Sequence, residues 1–437
     1  MEFLTSTAAS SIAVILSLVL FIILSYRGLD LTSTACLSAV VVAITAKSGF
    51  FPSLFGTFMT ESAAFFTSIF FPFVTGGILG SVMVASGCSM SIGRTLVKRL
   101  GAKNTPYIIM ILSVLLNLAG IATTPFIVVP IALSLLQASD LPKRVGLASG
   151  IGAMYTTMVT LPGVAAANNV IPTLYLGTTL TSGALMGTVC FIFSMILLII
   201  YVKFLIWEAR RCGDGFDGEV PRFSAMDMKL PNFWVSLLPI AIVVGLAVGL
   251  TSVVGDSYRA VTIGQIAASV FVVITCRKFF MEKLKDVVMK GIKPNIEFVV
   301  GISLIVGYAA VVQDTSCYSG LMNWITQLNV HPYLLTVIAC GLICGICANG
   351  YGGMGIFLSV LGGQIAAMPG INAGAVHRLT TMTSSTFDSL PHASSVQINL
   401  GIWKMSVKEG YKYCFVTTVL IPILYTLLGV IMAVLFY

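Results

Sequence analysis

The chain has 437 residues, 57% of them hydrophobic and 9% charged, with a mean hydropathy of +1.00. No soluble domain hides that much apolar surface, so the composition excludes a large soluble domain and indicates an all-α polytopic membrane protein. The formal net charge of +8 comes from Lys and Arg confined to a few loops, where they act as topology signals rather than a nucleic-acid surface; the expected partners are lipid and a small solute.

The first apolar run, Ser11 to Ser25, has no basic stretch before it and is followed by Tyr26-Arg27-Gly28 rather than a small-residue cleavage site, which predicts a retained helix. Runs long enough to cross a bilayer core of ~30 Å lie near 10–26, 31–47, 64–90, 180–207, 233–252, 259–276, 295–313 and 413–436. The remaining apolar sequence, 105–179 and 332–403, is interrupted by Gly, Pro, Thr and Asn at short intervals.

The stretch 105–137 has two short arms around Gly120-Ile121-Ala122-Thr123-Thr124-Pro125. Irregular backbone at membrane depth is tolerated only where it is buried or lines a cavity, so a re-entrant hairpin is expected. Arg94, Lys98, Arg99 and Lys103 before it, with Lys143 and Arg144 after it, open it inward. Residues 145–175 form a span broken at Leu161-Pro162-Gly163, and 208–232 is the expected cytoplasmic linker closing a first half, 1–207.

The second half, 233–437, repeats the order. A hairpin over 331–368, turning at Ala348-Asn349-Gly350-Tyr351-Gly352-Gly353, has no basic flanks and opens outward; a broken span follows over 374–403, interrupted at Asp388-Ser389-Leu390-Pro391-His392. Paired interrupted helices in inverted halves mark secondary transporters with a substrate at the midplane. About ten spans and two hairpins result. Ser48 to Thr60 and Arg277 to Lys290 are expected to be matching interfacial arms. The ten cysteines lie mostly in apolar segments and read as free thiols that pack as small core residues, Cys344-x-x-Cys347 included.

Two motifs resemble the gluconate permease family: Leu161-Pro162-Gly163 followed by Asn169-Val170-Ile171-Pro172-Thr173-x-Tyr175-Leu176-Gly177-Thr178-Thr179, and Phe387-Asp388-Ser389-Leu390-Pro391-His392 with Lys408-Glu409-Gly410-Tyr411-Lys412 behind it. The resemblance runs from about Val84 to the C-terminus, and the chain departs from the family pattern at Val164–Asn168 and Ala348–Tyr351. It implies an ion transporter superfamily fold of elevator type, a homodimer in the bacterial cytoplasmic membrane, and uptake of gluconate or a small hydroxy acid such as 3-hydroxybutyrate with a coupling cation, usually a proton.

Neither 145–202 nor 294–377 contains Lys or Arg, so an anion would have to be held by dipoles and neutral donors. Half-helices beginning at Pro162 and Pro391 would present unpaired N–H groups. Thr123, Thr124, Thr160, Pro162, Gly163, Asn168, Asn349, Gly350, Gly352, Gly353, Ser394 and Ser395 are the candidate substrate-binding residues. Thr and Ser in membrane helices also bond their own backbone, and the glycines also serve the turn alone. Asp388 and His392 are the candidate ion-coupling pair, four positions apart, set against a role as a helix cap and an ordinary polar residue. A proton is the favoured coupling ion and sodium, held on carbonyls, the alternative; no other cofactor or metal is expected. The rival readings are a cation/proton antiporter and an intramembrane hydrolase built on Asp388, His392 and nearby serines. His331 and His377, the latter beside Arg378, read as residues near span ends and are left out of the site.

Overall fold

In a bilayer each segment must satisfy its own backbone polar groups, and the apolar runs of this chain do so as helices. The computed structural model describes residues 6–27, 29–101, 104–118, 120, 124–217, 230–254, 257–320, 330–347, 350–390 and 393–437, and no strand occurs among them.

Helix α1 spans Thr7–Tyr26 and α2 Leu31–Ala43, N-capped by Asp30, whose carboxylate accepts from the Ser33 N–H at 2.9 Å. Then come α3 (Met59–Ala85) and α4 (Cys88–Leu100). The short pair α5 (Thr105–Leu118) and α6 (Thr124–Ala138) follows. The interrupted pair is α7 (Lys143–Thr160) and α8 (Ala167–Leu176), and α9 (Ala184–Cys212) ends the series.

The second series opens with α10 (Phe233–Gly249), the single turn α11 (Thr251–Val254), α12 (Ser257–Cys276) and α13 (Leu284–Gln313). Next come α14 (Pro332–Cys347) and α15 (Gly350–Phe357), the latter running through a π-helical Leu358–Gly362 into α16 (Gly363–Ala366). A second interrupted pair, α17 (Ala373–Ser384) and α18 (Ser394–Ile402), precedes α19 (Val407–Phe415) and α20 (Ile421–Phe436).

Five of the described helical runs are long and apolar enough to cross a membrane: Pro52–Ala85, Ala184–Cys212, Arg259–Phe279, Met281–Gln313 and Val407–Phe436. Thr7–Phe21, Thr32–Ala43, Thr105–Leu118, Phe233–Gly249 and Pro332–Gly345 are apolar but shorter. Three boundaries differ from the sequence reading. The stretch expected as an arm over 48–60 is instead largely the π-helical first turns, Pro52–Phe58, of the helix that continues into α3. Its counterpart consists of two 3₁₀ turns, Arg277–Phe279 and Met281–Lys283, leading directly into α13, which runs through Pro294. Helix α9 extends into the expected linker as far as Cys212, where Gly213 at φ +72° caps it. Arg144 then pairs with Asp214 at 2.6 Å, holding the start of the linker on α7.

The two long helices α3 and α13 pack against each other along most of their length. Where they cross at Gly77 and Gly291, a Cβ on either glycine would strike the other's carbonyl; Gly307 lies equally tight against Ser62 and the Phe58 carbonyl. Residue numbers rise on one helix as they fall on the other, so the pair is antiparallel. Small residues allow such backbone approach, and in a membrane the contact rests on packing rather than on water exclusion. On α9, Met186, Cys190, Leu198 and Val202 face the core, while Ile192, Ile196, Ile200 and Phe204 form an exposed apolar stripe.

Candidate functional site

The first interruption is set by backbone conformation. Leu161 leaves the helix at ψ 124°, Gly163 sits at φ +78°, and its N–H donates to the Leu180 carbonyl at 3.0 Å. The new half-helix begins at Ala167, five residues beyond the Pro162 start expected from sequence. Proline alone did not fix that start because Gly163, in a conformation that favours glycine, turns the chain first. Ala166 caps α8 without a side-chain hydrogen bond, so the leading N–H groups at Ala167 and Asn168 have no partner within the helix. The tip of the first hairpin closes on this segment: a Cβ on Gly120 would run into the Ala165 carbonyl.

The second interruption separates Ser384 from Ser394. Asp388 lies in the non-helical segment between them and is 8% exposed. It therefore does not share a helical face with position 392, and His392 itself lies outside the described residues. The Ser389 hydroxyl donates to the Asp388 carboxylate at 2.8 Å, and the Gly350 N–H, at the tip of the second hairpin, donates to it as well. A Cβ on Gly350 would sit 2.6 Å from the Ser384 carbonyl and 2.7 Å from Asp388 Oδ2, so only glycine lets the tip seat there. Tyr155, Tyr351 and Tyr425 lie within electrostatic reach of the carboxylate from α7, α15 and α20.

The two interruptions are bonded to each other. Asn168 Nδ2 donates to Ser384 Oγ at 3.0 Å, while Asn168 Oδ1 is buried without a partner among the described residues. Asn169 donates to the carbonyls of Val164 and Leu180 at 2.9 and 3.0 Å, and its Oδ1 meets His377 Nε2 at 3.1 Å. His377 Nδ1 is 2.7 Å from Thr178 Oγ1.

Arg378 is fully buried. It donates from Nη2 to Leu180 and Ser182 at 3.0 and 2.8 Å, from Nε to Ser182 at 3.2 Å and from Nη1 to Val159 at 3.5 Å. The missing side chains of Gly183 and Gly187 make room for it. His377 and Arg378 are thus interior residues tying α17 to the first interruption, which corrects the span-end reading of His377. The signal was present in the sequence, a cation inside a helix otherwise free of charge.

A cavity of about 40 Å³ lies between α3, α12 and α13 on one side and α7, α8 and the two hairpin tips on the other. At about 10–15 Å³ per water, it holds two to four water-sized groups. Its polar lining among the described residues consists of Asn117, Gln265, Asn295 and Tyr351; Ala166 and Ala167 bring the start of α8 into the wall, and no charged side chain among the described residues lines it. Each amide is anchored at one end. Asn117 and Asn295 donate to the Ser113 and Gly291 carbonyls at 2.9 and 2.8 Å, and Gln265 meets Thr75 Oγ1 at 2.6 Å.

Of the residues singled out from sequence, Asn168, Gly350, Asp388 and Ser395 come together around the two interruptions; Ser395 Oγ is 3.4 Å from the Asp388 carbonyl. Thr160 bonds back to Thr156 at 2.6 Å, and Thr124 faces a second, smaller cavity. Pro162 and Gly163 shape the turn outside the cavity lining. Gly353 allows the two arms of the second hairpin to touch at Cys344, and Gly352 is buried beside it on α15. Thr123 and Asn349 lie outside the described residues, and Ser394 opens α18 with its side chain likewise outside them. The amides Asn117, Gln265 and Asn295 were not singled out from sequence. Each is a lone amide in an apolar helix, a signal without a stated partner. Among the described residues, no group of three or more His, Cys, Asp or Glu is placed to hold a metal ion.

Across 93% of this chain and 96% of the other, the architecture matches the crystal structure of the YdaH transporter of Alcanivorax borkumensis, described as having an unusual topology, with a TM-score of 0.59 and 16% sequence identity. The fold is a transporter fold. In sequence, the chain is 24% identical to the uncharacterized transporter YxjC of Bacillus subtilis, over 94% of this chain and 96% of that protein. It is 23% identical to an uncharacterized transporter of Haemophilus influenzae, over 78% of each. No family model matches the chain. The relatives support a multi-pass membrane transporter; the narrower likeness to gluconate permeases rests on the two motifs alone.

Proposed function

We propose that the chain is a secondary active transporter that carries a small organic acid anion, such as gluconate or a hydroxy monocarboxylate, together with a proton. The observation that carries the reading is the cavity bounded by two hairpin tips and an uncapped half-helix, lined by neutral amides and a tyrosine and neighboured by the buried carboxylate of Asp388. The start of α8 suits a carboxylate because its N–H groups and dipole favour negative charge without a desolvated cation. Asn117, Gln265, Asn295 and Tyr351 address the substrate's hydroxyls. Asp388 takes the proton, and its bond to the Gly350 N–H links that event to the seating of the second hairpin tip.

Movement of the hairpins and interrupted helices against α3 and α13, in a homodimer of the bacterial cytoplasmic membrane, completes the proposal. One observation favours sodium as the alternative coupling ion: Asn168 Oδ1 is buried without a partner among the described residues near Ser384, whose carbonyl and the Asp388 carboxylate both border Gly350.

Uptake of gluconate, 3-hydroxybutyrate, lactate and citrate into proteoliposomes, under a proton or a sodium gradient imposed separately, tests both. Accumulation under the proton gradient alone supports the first reading, and under sodium alone the second. Failure to accumulate any of the four under either gradient refutes the substrate class. Asp388→Asn is expected to abolish gradient-driven accumulation while sparing exchange.

A further inference from the structure

A second cavity, about 10 Å³ in volume, lies behind the first hairpin and is lined by Ser113 from α5, Thr124 and Val128 from α6, Gly150 from α7, and Asn399 with Trp403 at the end of α18. Two polar atoms of these residues have no hydrogen-bond partner among the described residues: Ser113 Oγ, on a residue 1% exposed, and Asn399 Oδ1, on one 5% exposed.

Local geometry leaves both oxygens to this space. Hydroxyls in membrane helices commonly bond back to the preceding turn, as Ser149, Thr157 and Thr160 do on α7 at 2.7, 2.7 and 2.6 Å; the Ser113 hydroxyl makes no such bond. Asn399 Nδ2 donates to the Ser395 carbonyl at 2.8 Å, which fixes the carboxamide and leaves Oδ1 at its other end. A Cβ on Gly150 would stand 3.9 Å from Ser113 Oγ, 3.7 Å from Trp403 Cζ2 and 3.5 Å from Ile109 Cγ2, all ordinary contacts. Gly150 thus keeps open a space that a methyl group would fill without strain.

The ligand follows from size and charge. An unpartnered polar atom in an apolar interior is costly, and a space of about 10–15 Å³ accommodates one water. No charged side chain among the described residues lines this space, so a cation there would lack a counter-charge, whereas a water satisfies both oxygens at once. We propose that this space binds one water molecule, which donates to Asn399 Oδ1 and bonds Ser113 Oγ. The water joins α5 of the first hairpin to α18 of the second interrupted pair, beside Gly150 of α7. The site stands independently of the transport reaction proposed above, and its test does not use that reaction.

Radiolytic footprinting of the full-length protein in detergent, in heavy-oxygen water, reads the site directly, because a buried side chain is labelled by water lying against it. Trp403 and Phe357 are buried alike, at 1% and 0% exposed. Each measured against its own rate in the unfolded protein, Trp403 is expected to label faster than Phe357, and that excess to be lost in Gly150→Ala. Equal protection of the two in the wild type overturns the proposal. Thermal unfolding adds a sign. A methyl that displaces the water leaves two orphaned oxygens, so the midpoint should fall in Gly150→Ala and rise when the same change is made in protein carrying Ser113→Ala and Asn399→Ala, whose space is apolar. A rise in both backgrounds, as filling a dry cavity and replacing a helical glycine would give, overturns the water. So does a wild-type midpoint that climbs with sodium chloride but not choline chloride and loses that response in Ser113→Ala, which assigns the space to a cation. Should Gly150→Ala fail to fold, the wild-type labelling of Trp403 decides alone.

Discussion

Replacing Gly350 with alanine strikes the contact on which the proposed coupling turns. The added methyl would lie 2.6 Å from the Ser384 carbonyl and 2.7 Å from Asp388 Oδ2, both held by backbone or short side chains that have little room to give. Restoring an ordinary contact of ~3.4 Å means withdrawing the hairpin tip by about 0.8 Å, which lengthens a hydrogen bond of ~2.9 Å to about 3.7 Å and ends it. A hydrogen bond to a charged group contributes about 1.5–3 kcal/mol, so the seated tip should lose about 10- to 100-fold in population against the unseated one. Cys344 reports on this directly, since its Sγ lies 3.7 Å from the Gly350 carbonyl and is buried in the seated state. In protein whose sole cysteine is Cys344, maleimide modification should accelerate by about that factor in Gly350→Ala, and proton-driven accumulation should fall with it. An unchanged modification rate would refute the claim that the tip is latched by Asp388.

Three further substitutions probe the frame around this contact. Gly77→Val places branched carbons on the Gly291 carbonyl and the Asn295 amide; overpacking of about 1–3 kcal/mol or more should lower the unfolding temperature in detergent, and an unchanged midpoint would show that α3 and α13 do not cross so closely. Arg378→Lys keeps the charge but cannot span the Leu180 and Ser182 carbonyls together; a loss of about 2–3 kcal/mol is expected, measured by thermal unfolding, with Arg378→Met milder than Arg378→Ala because it fills the space without a charge. Asn372 caps α17 by accepting from the Gly374 and Ala375 N–H groups at 2.8 and 3.2 Å, so Asn372→Ala should cost about 1 kcal/mol and Asn372→Asp should restore most of it.

Much of this architecture is legible in the sequence because two of its signals are local. Apolar runs of spanning length mark most of the long helices, and Gly, Pro and Asn clusters mark the breaks between α5 and α6, α7 and α8, α14 and α15, and α17 and α18. What escaped depends on contacts between distant segments. The start of α8 moved from Pro162 to Ala167 because Gly163 turns the chain through a positive φ, a choice that proline's preference for a first helical position does not foresee. The amphipathic stretch 48–60 read as an interfacial arm because its helical continuity with α3 is supported by packing on α13. Arg378 went unassigned because its partners are main-chain carbonyls, which leave no complementary residue to recognise. The amides at 117, 265 and 295 stand far apart in sequence, and only the packing of α3, α12 and α13 against the hairpin tips brings them to one cavity.

The two buried charges near the interruptions are held so differently that the proposed transport cycle gives them different roles. Arg378 makes four hydrogen bonds to three carbonyls. At about 1.5–3 kcal/mol for each bond to a charged group, releasing them in every cycle would cost more than a modest ion gradient returns. The guanidinium therefore belongs to the part that stays assembled, fixing α17 to the first interruption so that both interruptions act as one body. Asp388 is held by one hydroxyl and one backbone N–H, and the N–H comes from a hairpin tip packed through a glycine. Taking up a proton removes the charge from that bond and roughly halves its strength, a change of the size that can bias a seated tip toward an unseated one. On the proposed function the first interruption would then be the fixed half of the site, where neutral donors meet the substrate. In the proposed cycle the second would carry the bond weak enough to be made and broken by the coupling ion.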